Sequence, residues 1–279
     1  MTHKSRNMTL VVTGASGRTG RRVAESARAA GWTVRPASRA HGFDWQDAST
    51  WVGTLRGADA AYLVFPSDVG GPDAARGIGL LAHEAVGIGV RRLVLLSSRG
   101  EERARPTEEA LRESGADWTV LRAAWFMQNF SEGPLLEGLR RSGELVFPGG
   151  AVREPFIDVR DVADVVVAVL TAGDRYLGQG LAVSGPRLLS FGDAVAEIAA
   201  ATGRELTYRA VSARRHGDDL AGSGVPVVEA DHLVELFESL LDGRNAYLSS
   251  DAVREALGRP PRDFTDFARQ AAAAGVWRP

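Results

Sequence analysis

The sequence predicts an α/β fold, a doubly wound parallel sheet, on two observations. β-branched apolar runs alternate with Ala-rich amphipathic stretches through the first half of the chain, and a strand–glycine-turn–helix unit opens the series. The expected strands are Leu10–Thr13, Thr33–Ser38, Ala60–Phe65, Arg92–Ser97 and Trp118–Leu121, with a short extra strand near Gly42–Phe43. Helices are expected at Thr19–Ala30, Ser49–Leu55, Asp73–Val86 and Thr107–Glu113, the first and last closed by Gly31 and Gly115 as left-handed caps.

Beyond Trp125 the rhythm changes. Pro134–Arg141 reads as a short helix, Gly143–Gly150 as a turn-rich loop, and Phe156–Val159 as a short strand. Asp161 is expected to cap the apolar helix Val162–Thr171. A last sheet strand follows at Gly180–Ser184, then a helix over Phe191–Ala201. Arg209–Asn245 reads as helical with a loop at Gly222–Pro226, and Phe264–Ala274 as a terminal helix.

Composition narrows the chemistry. The 279 residues carry 33 Lys+Arg and 35 Asp+Glu, a formal charge of −2 that gives no electrostatic reason to expect nucleic acid or an anionic membrane. There is no cysteine, so disulfides, thiolate catalysis and Cys-ligated zinc are excluded; the composition fits a reducing, cytoplasmic setting. The five histidines show no metal spacing, and no metal is expected. The one lysine, Lys4, precedes the first strand, which removes Schiff-base and P-loop chemistry. Apolar runs are too short for a signal segment or a membrane span, so a soluble protein is expected.

The sharpest local signal is LVVTGASGRTGRRVAESARAAG, residues 10–31. Gly14, Gly17 and Gly20 sit between a strand and a helix, where they permit a tight turn and let backbone N–H groups approach a pyrophosphate at the helix N-terminus. That context makes the sheet Rossmann-type and the ligand a dinucleotide. Arg18 replaces the last glycine of a G-x-S-x-G elbow, which rejects a hydrolase. The second strand ends in Ser38-Arg39 with no acid before Asp44. NAD sites place a carboxylate there for the ribose hydroxyls, whereas guanidinium groups from Arg18 and Arg39 suit a 2′-phosphate, so NADP(H) is the expected cofactor. Residues 8–150, with about 156–185, form the expected dinucleotide domain; 186–279 form a small, mostly helical, interleaved substrate cap.

Further strings are SRAHGFDWQDAST, AYLVFP, RRLVLLSS, WTVLRAAWFMQNFSEG, PFIDVRDVADV, LLSFGDAVAEI and RPPRDFTDFARQ. In this order they resemble NmrA-like atypical short-chain dehydrogenase/reductases, and most closely the ergot-alkaloid reductase branch of agroclavine dehydrogenase and festuclavine synthase. The resemblance spans residues 8–270. It implies that Gly14, Ser16, Gly17, Arg18, Thr19 and Gly20 hold phosphates, that Arg39 fits the 2′-phosphate, that Thr13 and Ser38 also bind the cofactor, that Asp44 and Trp45 flank the adenine, and that Phe65 and Pro66 line the ribose. Ser97 would face the nicotinamide.

Classical members of that superfamily use Tyr-x-x-x-Lys, which a chain with one lysine ahead of its first strand cannot supply. Ser97 and Ser98 are the remaining catalytic candidates. Phe65, Trp125, Phe126, Asn129 and Phe130 could stack on and hydrogen-bond a planar small molecule. Three readings stay open: a reductase of an imine, iminium ion or activated alkene, a quinone reductase, and a non-catalytic NADP(H) sensor.

Overall fold

The computed structural model describes residues 8–66 and 68–279, so Lys4 lies outside the described residues. In chain order the main elements are β1 (Thr9–Thr13), α1 (Arg18–Ala29), β2 (Thr33–Ala37), α2 (Trp51–Leu55), β3 (Ala60–Leu63), α3 (Ala74–Gly87), β4 (Arg92–Ser98), α4 (Arg105–Glu113) and β5 (Asp117–Ala123). Then come α5 (Asn129–Glu132), α6 (Leu136–Arg141), β6 (Glu144–Phe147), β7 (Arg153–Glu154), α7 (Val159–Thr171), β8 (Gln179–Val183) and β9 (Leu189–Ser190). The chain closes with α8 (Phe191–Thr202), β10 (Thr207–Ala210), α9 (Ala213–Gly222), α10 (Val227–Leu240), α11 (Ser250–Leu257) and α12 (Phe264–Ala273).

Two compact units result. Unit 1 holds the described residues up to Ala123, with Val159–Val183 and Ala252–Arg259. Its six-stranded sheet has the order β2-β1-β3-β4-β5-β8, and every pairing is parallel. The order reverses at β1, whose neighbours are β2 and β3, so the ligand crevice belongs at the carboxyl ends of β1 and β3. Leu10, Val11 and Val12 are fully buried, as a central strand covered on both faces requires. Pro36 has no N–H to give to a ladder, and it stands in β2, an edge strand. Helix α1 turns Val23, Ala24 and Ala27 inward and packs on α7. Arg259 pins that pair from the third segment: its guanidinium meets Asp161 at 2.8 Å and Asp164 at 2.7 Å, while Ser26 Oγ donates to Asp164 at 3.0 Å.

Unit 2 comprises Ala124–Asp158, Ser184–Asp251 and Pro260–Pro279. Its core is aromatic, with Phe130, Phe147, Phe156, Phe191, Phe264 and Trp277 almost wholly buried. Two small ladders brace it, β6 with β10 in parallel and β7 with β9 antiparallel. Arg187 grips Asp263 through two bonds of 2.7 and 2.8 Å and also donates to Glu197, tying the start of α12 to α8. Ser190 and Asp193 form a capping box at α8.

Several expectations need correction. Residues 124–150 group with unit 2, because Phe130, Leu139 and Phe147 belong to its core. Gly143–Gly150 is not all loop: Glu144–Phe147 finds a partner strand at Thr207–Ala210, whose last two residues fall in the stretch expected to be helical. The extra strand at Gly42–Phe43 is a turn, and Asp44 and Asp47 form only an isolated bridge. Phe156–Val159 holds a single bridge, from Ile157 to Phe126. Asp161 lies inside the first turn of α7, where it pairs with Arg259 instead of capping. Helix α11 went unanticipated. Among the described residues no helix is long and apolar enough to cross a membrane.

Candidate functional site

In unit 1 the turn after β1 is shaped by contact distances that exclude side chains. Gly14 has φ +59°, and a Cβ there would come within 2.7 Å of Val64 Cγ1. A Cβ on Gly20 would lie 2.2 Å from the carbonyl oxygen of Gly14, so the first turn of α1 can press onto the loop only without one. Gly17 is the N-cap of α1 and offers no side-chain acceptor, and the first turn has no acidic residue. The N-terminal N–H groups of this twelve-residue helix are therefore left without a side-chain cap, an arrangement that could accept an anion. Ser16 and Gly17 are exposed, and Arg18 is half-buried beside them.

Thr13 and Thr19 sit differently from the expectation. Thr13 is fully buried; its Oγ1 accepts from Val64 N at 2.7 Å and lies 3.2 Å from the carbonyls of Tyr62 and Val64. Its side chain clamps β1 to the end of β3 and is not a phosphate ligand. Thr19 is buried at the start of α1, so only its backbone can serve the anion.

At the end of β2, Ser38 Oγ and His41 Nδ1 share a hydrogen bond of 2.7 Å. Arg39 is exposed and makes no ion pair among the described residues, which leaves its fork available for a phosphate. Asp44 spends its carboxylate on the following turn, accepting from Gln46 N at 3.0 Å. Trp45 packs edge-on against Phe43, Trp51 and Phe65 at 5.4, 6.2 and 5.2 Å. These rings form a wall suited to an adenine. Phe65 also presses on α3, where a Cβ on Gly77 would meet its ring at 2.7 Å. That places Phe65 with the adenine wall, and Pro66 beside it is exposed.

The two serines ending β4 have opposite fates. Ser97 is buried and donates its hydroxyl at 2.8 Å to Glu108, which also receives Arg122 and Arg112. Although burial opposes ionisation, these donors hold the Glu108 carboxyl below its usual range. Ser97 is thus part of a buried ion-pair network, and the expectation that its side chain faces a nicotinamide is corrected. Ser98 is half-buried and hydrogen-bonds the carboxyl of Glu101. Tyr62 lies fully buried in the sheet, where burial pushes its phenol well above the ordinary value. Fully enclosed there, its hydroxyl stays protonated and is shut off from solvent.

Unit 2 gathers the remaining candidates. Trp125 is half-buried among Phe147, Phe191 and Phe237, at ring distances of 5.7, 5.6 and 6.1 Å. Its indole Nε1–H is buried and has no hydrogen-bond partner among the described residues. A donor left in this state usually awaits an acceptor. His216 stands against Phe147 and Phe237, and burial lowers its pKa, keeping the imidazole neutral. Phe126 and Asn129 are partly exposed, so they can reach a ligand. Phe130 cannot: it is fully buried against Phe156, Phe191 and Phe264. Sequence reasoning missed Phe147, His216 and Phe237, which sit in three different elements of this cluster. Gln128, in the WFMQNF string, donates at 2.9 Å to the buried Asp158 of PFIDVRDVADV, so that pair of strings records packing.

Comparison with known proteins agrees with this geometry. A profile described as NAD(P)H-binding matches residues 14–173. The chain is 30% identical to an NAD(P)H azoreductase of Xenophilus azovorans, covering 90% of this chain and 88% of that protein. It is 28% identical to an agroclavine dehydrogenase of Claviceps purpurea, with 97% and 99% covered. An NADPH-dependent quinone oxidoreductase of Escherichia coli, crystallised with NADPH, superposes with a TM-score of 0.76 at 21% identity, over 94% of this chain and 99% of that one. NmrA, a negative transcriptional regulator solved with NAD, gives 0.77 at 17%, over 98% and 97%. At these identities the two structures speak for the fold.

Proposed function

The chain belongs to the NAD(P)H-binding family, and on that premise we propose that it uses NADPH to reduce a planar or aromatic small molecule. Its coarse class is NAD(P)H-dependent oxidoreductase, the class named in its azoreductase and clavine dehydrogenase relatives. The observation that carries the reading is the open glycine cradle at α1 together with the uncommitted guanidinium of Arg39 at the end of β2. Gly14, Gly17 and Gly20 would admit the pyrophosphate, Arg18 and Arg39 the 2′-phosphate, and Trp45 with Phe65 the adenine. When bound, the dinucleotide supplies a hydride. The chain's part is to orient the acceptor, and within unit 2 the Trp125 cluster, with its unpaired indole N–H, suits a flat molecule bearing a hydrogen-bond acceptor.

The test is an NADPH-oxidation panel of an azo dye (methyl red), a quinone (menadione), a cyclic enone and an N-methyl dihydroisoquinolinium ion. Turnover of at least one, with NADPH preferred over NADH by about tenfold or more, is expected. Tight NADPH binding with no turnover across the panel would favour a sensor.

A further inference from the structure

Glu101 follows β4 by a short turn and is only 6% exposed. A carboxylate so placed needs donors, yet its Oε1 is buried with none among the described residues. The group against it is another acid. Asp68, in the loop after β3, lies in hydrogen-bond contact with the Glu101 carboxyl and spends its Oδ1 on Gly70 N at 2.9 Å. Two carboxylates cannot bond each other unless a proton lies between them. Gly70 closes over the pair so tightly that a Cβ there would fall 2.1 Å from Glu101 Oε1. On the other side, Glu101 accepts a hydrogen bond from Ser98. Glu101 thus contacts both Asp68 and Ser98, in segments that follow or end β3 and β4. Those strand ends lie at the sheet edge where this fold binds its ligands.

We propose that the Asp68–Glu101 pair stores one proton and delivers it through the Ser98 hydroxyl to the substrate atom left negative by hydride transfer, so that the substrate is an N=N, quinone or enone group rather than an iminium ion. The inference rests on the reductase reading above. An iminium ion becomes a neutral amine on receiving hydride alone. An azo group becomes an N–NH anion, a quinone a hydroquinone monoanion and an enone an enolate, and each must take a proton to finish. In the step, that anion removes the Ser98 hydroxyl proton while Ser98 takes the carboxyl proton of Glu101. The residual carboxylate is reprotonated from water. The net change consumes one hydride and one proton, and no other reductant or oxidant enters.

The electrostatics fit a store that works near neutrality. Burial first, then the charge and contact of Asp68, push the Glu101 pKa up to about 7, against the opposing pull of Ser98 and Arg103. Those are the groups that shift it. A donor tuned to the working pH transfers its proton most effectively.

Two readouts test this. In the unliganded protein, infrared difference spectra between pH 6 and pH 8 should show one protonated-carboxyl stretch that disappears across neutrality and is missing from Glu101→Gln. In single-turnover reduction of menadione or methyl red by NADPH, the wild-type rate should fall as pH rises through neutrality. Glu101→Gln should be slower by about 10²-fold and lose that fall, with its NADPH dissociation constant unchanged. Asp68→Asn removes the neighbouring charge, so the infrared and kinetic midpoints should both move to lower pH. This variant keeps the test alive should Glu101→Gln fold poorly. A wild-type protein without the titrating carboxyl band, or midpoints that Asp68→Asn leaves in place, overturns the proton store. Bound NADPH with an intact band but no reduction of either probe overturns the reductase reading, and this inference with it.

Discussion

In unit 1, three glycines within seven consecutive residues, Gly14 to Gly20, shape the turn that the proposed function gives to the phosphates. In unit 2, an aromatic cluster is assembled from Trp125, Phe147, His216 and Phe237, which stand on four separate stretches of chain and meet only on folding. The first kind of site is fixed by local geometry and tolerates almost no substitution. The second is fixed by packing, and any one ring can change size or polarity while its neighbours hold the frame. On the proposed reading, cofactor recognition would be conservative in this molecule, and substrate recognition is where it would vary.

The largest effect expected breaks the cradle. Gly20→Ala puts a methyl where only 2.2 Å separates it from the Gly14 carbonyl oxygen, so the loop must open. NADPH affinity should drop on the order of 100-fold, about 2.7 kcal/mol, in a fluorescence titration. Retained affinity would mean that the helix N-terminus is not the phosphate site. Next comes Arg39→Ala, which removes a charged partner worth roughly 1.5–3 kcal/mol from the 2′-phosphate. NADPH should weaken about tenfold or more while NADH binds as before. Equal losses for both would reassign Arg39.

The smallest effect sharpens the other side of the comparison. Trp125→Phe keeps an aromatic ring and deletes the buried, unpaired N–H. The apparent KM should rise about three- to tenfold, with NADPH affinity unchanged and the melting temperature equal or slightly higher, because an orphan donor has been removed. A lower melting temperature with unchanged kinetics would make Trp125 a packing residue.

The same contrast explains what could be read in advance. The parallel sheet and the glycine loop follow from apolar runs and turn residues that lie close together in the chain. So does the missing acid after Ser38. The direction of each serine at the end of β4 does not. Ser97 and Ser98 are adjacent and chemically identical; the pleat of β4 turns them to opposite faces, and only the fold puts Glu108 on one side and Glu101 on the other. Glu101 itself looks in the sequence like one acid of a charged run, EERAR, until burial and Asp68 set it apart. Strand β6 was illegible for a related reason. Its four residues gain strand identity only from a partner more than sixty positions later.

Unit 1 is closed by pieces of chain that arrive late. Its edge strand β8 ends at Val183, and Arg259, which holds Asp161 and Asp164 on the helix that packs against α1, comes after almost all of unit 2. A growing chain that has just emitted the glycine loop and β5 has no finished domain to fold. Domains usually fold in turn during synthesis, the N-terminal one first. Here unit 1 gains Arg259 only after most of unit 2 has been made. The N-terminal unit is thus closed late, by a segment that follows the unit it would ordinarily precede.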